Sequence, residues 1–305
     1  MEGRNLLQYI IVALKGMAMG AADVVPGVSG GTIAFISGIY EELITSLNNF
    51  NLSTFKTWKD KGIKAAWQRL NGNFLLALFS GIAVSVVSLA KLISWLLENQ
   101  PILVWSFFFG LVLASVIIVA RDIKRWSIAL IAVFILGALA AYFITSLPPA
   151  DNSESLPFFF LSGALAVCAM ILPGISGAFI LVLLGSYKTA LDAVHERNFL
   201  ILGVMALGAI FGLLSFARLL KWMFHHYKNV TLALLTGFIL GSLNKIWPWK
   251  EVLESRVYGD KSVAIKEINI VPWKYLGDNQ LEYAIPLAIL GFSLIFILEK
   301  IASKK

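Results

Sequence analysis

Cysteine, histidine and charge are scarce in this sequence, and each shortage closes off a class of protein. Its 305 residues include one cysteine, Cys168, inside an apolar run, so there is no disulfide framework and no thiolate cluster for a metal. The three histidines, His195, His225 and His226, stand at the ends of apolar blocks and are not gathered in one. No cofactor is called for, and no metal site or catalytic group is assigned. Charged residues make up only 14% of the chain, against about 25% in an ordinary soluble domain.

Apolar sequence fills the space instead, at 58% of residues and a mean hydropathy of +0.80. It comes in blocks about as long as a membrane span, roughly 20 residues. The chain therefore reads as an all-α polytopic membrane protein with the bilayer as its first partner. The net charge of +7 lies in short loops between blocks, which fits anionic lipid surfaces and gives no reason to invoke nucleic acid. Arg4, an apolar run and "AMGAAD" resemble a signal peptide, but Lys15 interrupts that run and the following motif recurs later, so cleavage is not expected.

That recurrence divides the chain. "VVPGVSGGTIAFISGIYEELI" (24–44) aligns with "MILPGISGAFILVLLGSYKTAL" (170–191), pairing Pro26, Gly27, Ser29, Gly30, Gly38 and Tyr40 with Pro173, Gly174, Ser176, Gly177, Gly185 and Tyr187. Further on, "LAKLISWLL" (89–97) aligns with "FARLLKWMF" (216–224), pairing Lys91 with Arg218, and Gly110 pairs with Gly237 at the same spacing. Two homologous halves follow, 1–147 and 157–305. The first reads as an interrupted hairpin at 6–47 and spans at 74–97, 102–120 and 127–147. The second reads as a hairpin at 157–194 and spans at 199–224, 230–247 and 283–299, with an external loop at 248–282.

Parity decides how the halves insert. A hairpin that leaves by the face it entered gives each half an odd number of crossings, so the halves are inverted; one broken spanning helix would make them parallel. The hairpin places Arg4, the 48–73 loop with Lys56, Lys59, Lys61, Lys64 and Arg69, then Arg121, Lys124, Arg125, Lys228, Lys300, Lys304 and Lys305 on one side. Glu98, Asp151 and Glu154 fall on the other. Lys and Arg accumulate in cytoplasmic loops, so the sequence predicts two inverted repeats, each a Pro/Gly-interrupted re-entrant hairpin plus three transmembrane helices, with both termini cytoplasmic. A variant in which both arms of each hairpin span fully keeps the same parity.

Interrupted elements in corresponding positions of two inverted halves point to a transporter's binding site. Irregular backbone at membrane depth must be buried in protein or line a wet cavity. Backbone N–H groups at Gly30, Gly31 and Gly177, with the hydroxyls of Ser29, Thr32 and Ser176 and the start of the following helix, would suit an anion such as phosphate. Pro26, Gly27, Pro173 and Gly174 would shape the tips; the plainer reading is a tight hairpin packed on small residues. Lys91 and Arg218 either snorkel to the interface or each receive a phosphate at their own leaflet. Asp23 and Lys15 are an ion pair or cap, or a site that couples transport to a cation. Asp23 is matched by Met170, so this feature is asymmetric. Glu41 and Glu42 read as interfacial charges, Cys168 as packing, and 248–282, with its alternating "VAIKEINI", as a flap on the bilayer surface.

"MGAADVVPGVSGGTIAFISGIYEELI", with the second "PGISG" about halfway along, resembles the bacterial polyprenyl-phosphate transporter (PopT-type) family over the whole chain. The resemblance implies translocation of undecaprenyl phosphate, the lipid carrier of cell-wall precursors, from the outer to the inner leaflet of the cytoplasmic membrane. The family signature falls on Asp23, Pro26, Gly27, Ser29, Gly30, Gly31 and Thr32, then on Pro173, Gly174, Ser176 and Gly177. A homodimer is the candidate assembly, and a proton or sodium gradient the candidate coupling. Two other functions compete. Undecaprenyl-diphosphate phosphatases of the BacA type carry a similar motif with an arginine after the serine, where this chain has Gly30 and Gly177. A cation-coupled carrier of a small anion would have the same tips.

Overall fold

The computed structural model describes residues 4–25, 28–150, 155–258 and 261–303. Pro26, Gly27, Asp151, Glu154, Lys304 and Lys305 lie outside the described residues. In chain order the elements are α1 (Leu6–Val24), α2 (Gly30–Ile36), α3 (Tyr40–Asn48), α4 (Leu52–Arg69), α5 (Gly72–Asn99), α6 (Pro101–Arg121) and α7 (Ile128–Ser146). Then come α8 (Leu156–Ile171), α9 (Gly177–Leu183), α10 (Tyr187–His195), α11 (Phe199–His226), α12 (Lys228–Ser242), β1 (Lys250–Tyr258), β2 (Lys261–Asn269) and α13 (Leu281–Ser303). Six helices among the described residues are long and apolar enough to cross a membrane, and Leu156–Ile171 of α8 and Leu281–Ile297 of α13 are shorter apolar stretches. This is a multi-pass membrane protein.

Both interrupted segments break within the recurring motif, between Val24 and Gly30 and between Ile171 and Gly177. α1 is 19 residues long but α2, after the break, has only 7. At 1.5 Å per residue a seven-residue arm covers roughly 10 Å, well short of a hydrocarbon core of about 30 Å. The second segment repeats this with a 16-residue α8 and a seven-residue α9. Gly38 (φ +73°) and Gly185 (φ +70°) turn the chain after each short arm, a left-handed conformation that glycine adopts without strain. α10 then leaves α9 at 109°.

Polar contacts fix which ends lie together. Arg4, just before α1, pairs with Glu42 of α3 at 2.5 Å, and Asn71, which opens α5, donates to the same carboxylate at 2.7 Å. The starts of α1 and α5 therefore share one end of the bundle with α3. Lys228, the first residue of α12, pairs with Glu41 of α3 at 2.6 Å and joins that end. At the opposite end, the Ala150 N–H before α8 donates to the Leu183 carbonyl that closes α9, at 2.7 Å.

Four helix pairs pack with backbone against backbone. Gly16 and Gly20 of α1 abut Leu78 and Ile82 of α5, and Gly208 and Gly212 of α11 abut Phe160 and Ala164 of α8. Gly237 and Gly241 of α12 abut Phe134 and Ala138 of α7. In each pair the contacts advance in the same sense, so the helices run parallel. α6 and α13 do the same: Gly110 meets Ala288 between a Gln100–Gln280 contact at one end and Arg121 over the Phe296 ring at the other. A methyl group at any of these glycines would overlap the neighbouring main chain. Lipid tails provide no hydrophobic drive between helices, so close van der Waals approach through small residues is what holds such pairs.

Two stretches read as loops are folded. The 48–73 stretch carries α4, capped by Asn51 and broken at Gly62 (φ +82°). Its exposed Phe55, Trp58 and Trp67 stand among lysines, the composition of a helix lying in the interface. The 248–282 stretch carries the antiparallel β1–β2 hairpin, with a register shift near Val252 and Glu254.

Candidate functional site

The breaks of the two hairpins meet. Ser29 caps the short α2 by accepting from the Gly31 N–H at 3.0 Å. The same hydroxyl lies 3.0 Å from the Met170 carbonyl and 3.1 Å from the Leu172 carbonyl, at the end of α8, and its single proton is shared between them. Thr32 accepts from the Gly174 N–H at 2.9 Å, and Gly174 sits at φ +94°. No side chain fits at Gly31, where a methyl group would run into the Ile171 and Met170 carbonyls. Ser29 and Thr32 are buried to 0% and 1% exposure, so these bonds lie in protein and not in lipid.

Asp23 closes the first tip on itself. Its Oδ1 accepts from the Gly30 N–H at 2.6 Å, while Oδ2 is buried with no hydrogen-bond partner among the described residues. Gly30 leaves the carboxylate its space, since a methyl there would lie 2.5 Å from Oδ2. The N–H groups of Gly30 and Gly31, which the sequence offers to an anion, are thus taken by Asp23 and Ser29. Lys15, in the middle of α1, donates to the Ser37 carbonyl at 2.6 Å.

The second tip is simpler. Pro173 and Gly174 are buried, and Ser176 opens α9 without bonding its backbone. Gly177 abuts the Ala166 carbonyl, where a methyl would come within 2.6 Å. Phe179 stands where the first half has Thr32, and Met170 where it has Asp23.

Lys91 and Arg218 are exposed on α5 and α11 and take no part in the tip network. Arg218 borders a groove of about 730 Å³ against α4, lined by Phe50, Leu52, Phe55, Trp58 and Trp67. Glu41 and Glu42 make the ion pairs described above. The Cys168 thiol lies 3.5 Å from the Gly212 carbonyl, a packing position on the α8–α11 seam. Among the described residues no group of three or more His, Cys, Asp or Glu stands ready for a metal ion. The acceptors of Ser29 were not foreseeable: the Met170 and Leu172 carbonyls are main chain and carry no residue signature.

Crossing helices and two interrupted hairpins that meet inside the protein define a multi-pass membrane protein with a polar centre built from broken helices. The chain belongs to the undecaprenyl phosphate translocase-like family, whose model matches residues 19–263. It is 46% identical over 309 residues to a polyprenyl-phosphate transporter of Vibrio cholerae serotype O1, with all of both chains covered. It is 32% identical over 253 residues to a polyprenyl-phosphate transporter of Staphylococcus aureus, covering 77% of this chain and 85% of the relative. No solved structure matches the chain.

Proposed function

We propose that this protein is a translocase of undecaprenyl phosphate or a similar polyprenyl phosphate in the cytoplasmic membrane. It returns the carrier lipid from the outer to the inner leaflet by alternating access. The observation that carries the lipid class is the full-length similarity to a polyprenyl-phosphate transporter. Two inverted halves, 1–147 and 157–305, provide the means. In support, α6 begins at the end of the bundle opposite the start of α5, whereas its counterpart α12 begins beside Glu41, at the end where α1 starts. The basic residues of α4 and of the 122–127 turn fall at the α1 end, which supports a cytoplasmic orientation for that end and the termini.

A phosphate cannot cross hydrocarbon bare, since an isolated ion there costs tens of kcal/mol by Born estimates. The paired tips are the headgroup's resting place, through Ser29, Gly30, Gly31, Thr32, Ser176 and Gly177, shaped by Pro26, Gly27, Pro173 and Gly174. Seven-residue helices bring little dipole, so N–H groups and hydroxyls do the binding. The Asp23 carboxylate holds the Gly30 N–H that a phosphate oxygen would take, so headgroup and carboxylate exchange places. A proton or sodium ion taken up at Asp23, with Lys15 on the same helix, eases that exchange and couples it to a gradient. Lys91 and Arg218 each receive the phosphate nearer one face. No hydrolysis is part of this cycle.

Purified protein in proteoliposomes, given labelled polyprenyl phosphate with and without proton and sodium gradients, tests the reading. Movement of the lipid between leaflets is expected. Competition by soluble phosphate with no lipid binding would overturn it in favour of a small-anion carrier, and release of phosphate from undecaprenyl diphosphate in favour of a phosphatase.

A further inference from the structure

Outside the tips, two lysines and one glutamate gather where α12 runs into β1. Glu267 of β2 lies 3.2 Å from the Lys245 ammonium and 3.4 Å from that of Lys250. Charge-assisted N–H···O bonds prefer about 2.7–2.9 Å, so the carboxylate spans two cations and grips neither closely. The short bond in the cluster, 2.6 Å, runs from Lys250 to the Lys245 carbonyl. Lys250 is 10% exposed and Lys245 24%, and aromatic faces complete the surroundings. Lys250 stands 4.8 Å from the centre of the Trp105 ring, and Lys245 5.1 Å from that of Phe179. Among the described residues two largely buried ammoniums share one carboxylate. That leaves one positive charge and spare N–H donors in a place where unpaired charge is costly.

The cluster is continuous with the tips. Gly174 packs on Ser242, the last residue of α12, so closely that a methyl would lie 2.8 Å from its hydroxyl. Lys245 follows one turn further towards the end where α8 starts, against the first turn of α9. The surrounding hairpin exposes Val252, Leu253 and Ile268, and Trp273 and Leu276 follow it, an apolar fringe suited to a bilayer surface.

We propose that Lys245 and Lys250 form an entry site for a phosphate monoester headgroup at the face bearing β1–β2, with Glu267 as the internal anion that the headgroup displaces. The ligand is a lipid whose chain stays in the bilayer beside the apolar fringe. This rests on the polyprenyl-phosphate reading and adds a buried pair of cations to the exposed Lys91 for the capture step at that face.

Full-length protein in nanodiscs is titrated separately with farnesyl phosphate and with inorganic phosphate, in the wild type and in Lys245→Met, Lys250→Met, Lys245→Arg and Glu267→Gln. Each Met variant is expected to weaken farnesyl phosphate roughly tenfold or more, the loss of one charge-assisted contact. Lys245→Arg should retain binding, and Glu267→Gln should tighten it. If the cluster only clamps the hairpin, all four variants keep wild-type affinity, or Glu267→Gln weakens binding as the Met variants do; either result overturns the proposal. Should Lys250→Met fail to fold, the more exposed Lys245→Met carries the test. Inorganic phosphate binding as tightly as farnesyl phosphate would overturn the lipid assignment. Wild-type transport that survives both Met variants sinks the entry site alone. The expected binding pattern in a protein that moves no lipid supports the site and sinks the transport reading.

Discussion

The two hairpin tips share a motif and a path, yet they differ in what they bury. The first holds a carboxylate, a capping serine and a threonine in one hydrogen-bonded network; the second offers Ser176, a backbone N–H and two main-chain carbonyls. Among the described residues, the hydrogen bonds that join the tips all have their side chain on the first hairpin. The recurring motif thus supplies the shape twice, while the polar chemistry is concentrated on one side. The second tip meets its partner through main-chain groups and adjoins the lysine cluster through Gly174 on Ser242 and Phe179 on Lys245.

The largest break in that asymmetry comes from Gly31→Ala, whose methyl meets the Ile171 and Met170 carbonyls. It should cost about 3 kcal/mol, the upper range for overpacking, read as a fall in thermal unfolding temperature in detergent. The counterpart position already carries a methyl, in the exposed Ala178, so Ala178→Gly should change little. Asp23→Asn comes next. Its side-chain oxygen can still accept from Gly30, so the fold should persist while gradient dependence of transport is lost; transport that still follows the gradient excludes Asp23 as the coupling site. Ser29→Ala removes a cap and the donor to α8, for about 1–2 kcal/mol, and Ser176→Ala less than half of that. Equal losses in the pair would show that the tips are energetically alike.

The smallest effect is graded and lies at the lysine cluster. Burial pushes Lys250 down from an ordinary 10.5 to about 8, with Glu267 pulling it up and Lys245 pushing it further down. Glu267 is itself held below its usual range: burial favours its neutral form, but Lys250 and Lys245 outweigh that. A lysine lowered on folding binds fewer protons than the unfolded chain between about pH 8 and 10.5, so stability should rise with pH across that window. Anion capture should fall as pH passes through about 8. Lys250→Met should flatten both profiles, measured by thermal unfolding and by farnesyl phosphate titration.

The spans were legible because membrane helices need length and apolarity, and both are written residue by residue. α5, α6 and α7 lie over the apolar blocks at 74–97, 102–120 and 127–147. The breaks were legible too, because proline and glycine inside an apolar run leave few alternatives. α4 was not, since its lysines read as a loop while its aromatic residues are spaced along a helix that Gly62 interrupts. The β1–β2 hairpin showed only as a short alternation within 248–282. At the tips the polar residues could be named, but their partners could not. Nothing in the residue types says that Asp23 turns back to Gly30, or that Ser29 reaches a main-chain carbonyl in the other half. The Lys245–Lys250–Glu267 cluster depends on strand pairing across a turn and had no signal at all.

The glycine seams described earlier have a mechanical side. Where two helices touch main chain to main chain, no layer of side chains remains to rotate or slide, and each pair behaves as one doubled rod. Four such rods account for eight helices here. Any rearrangement that opens a path must therefore take place between rods. The rod of α1 and α5 ends in one tip and that of α8 and α11 in the other, so the contact from Ser29 to α8 is itself a joint between two rods.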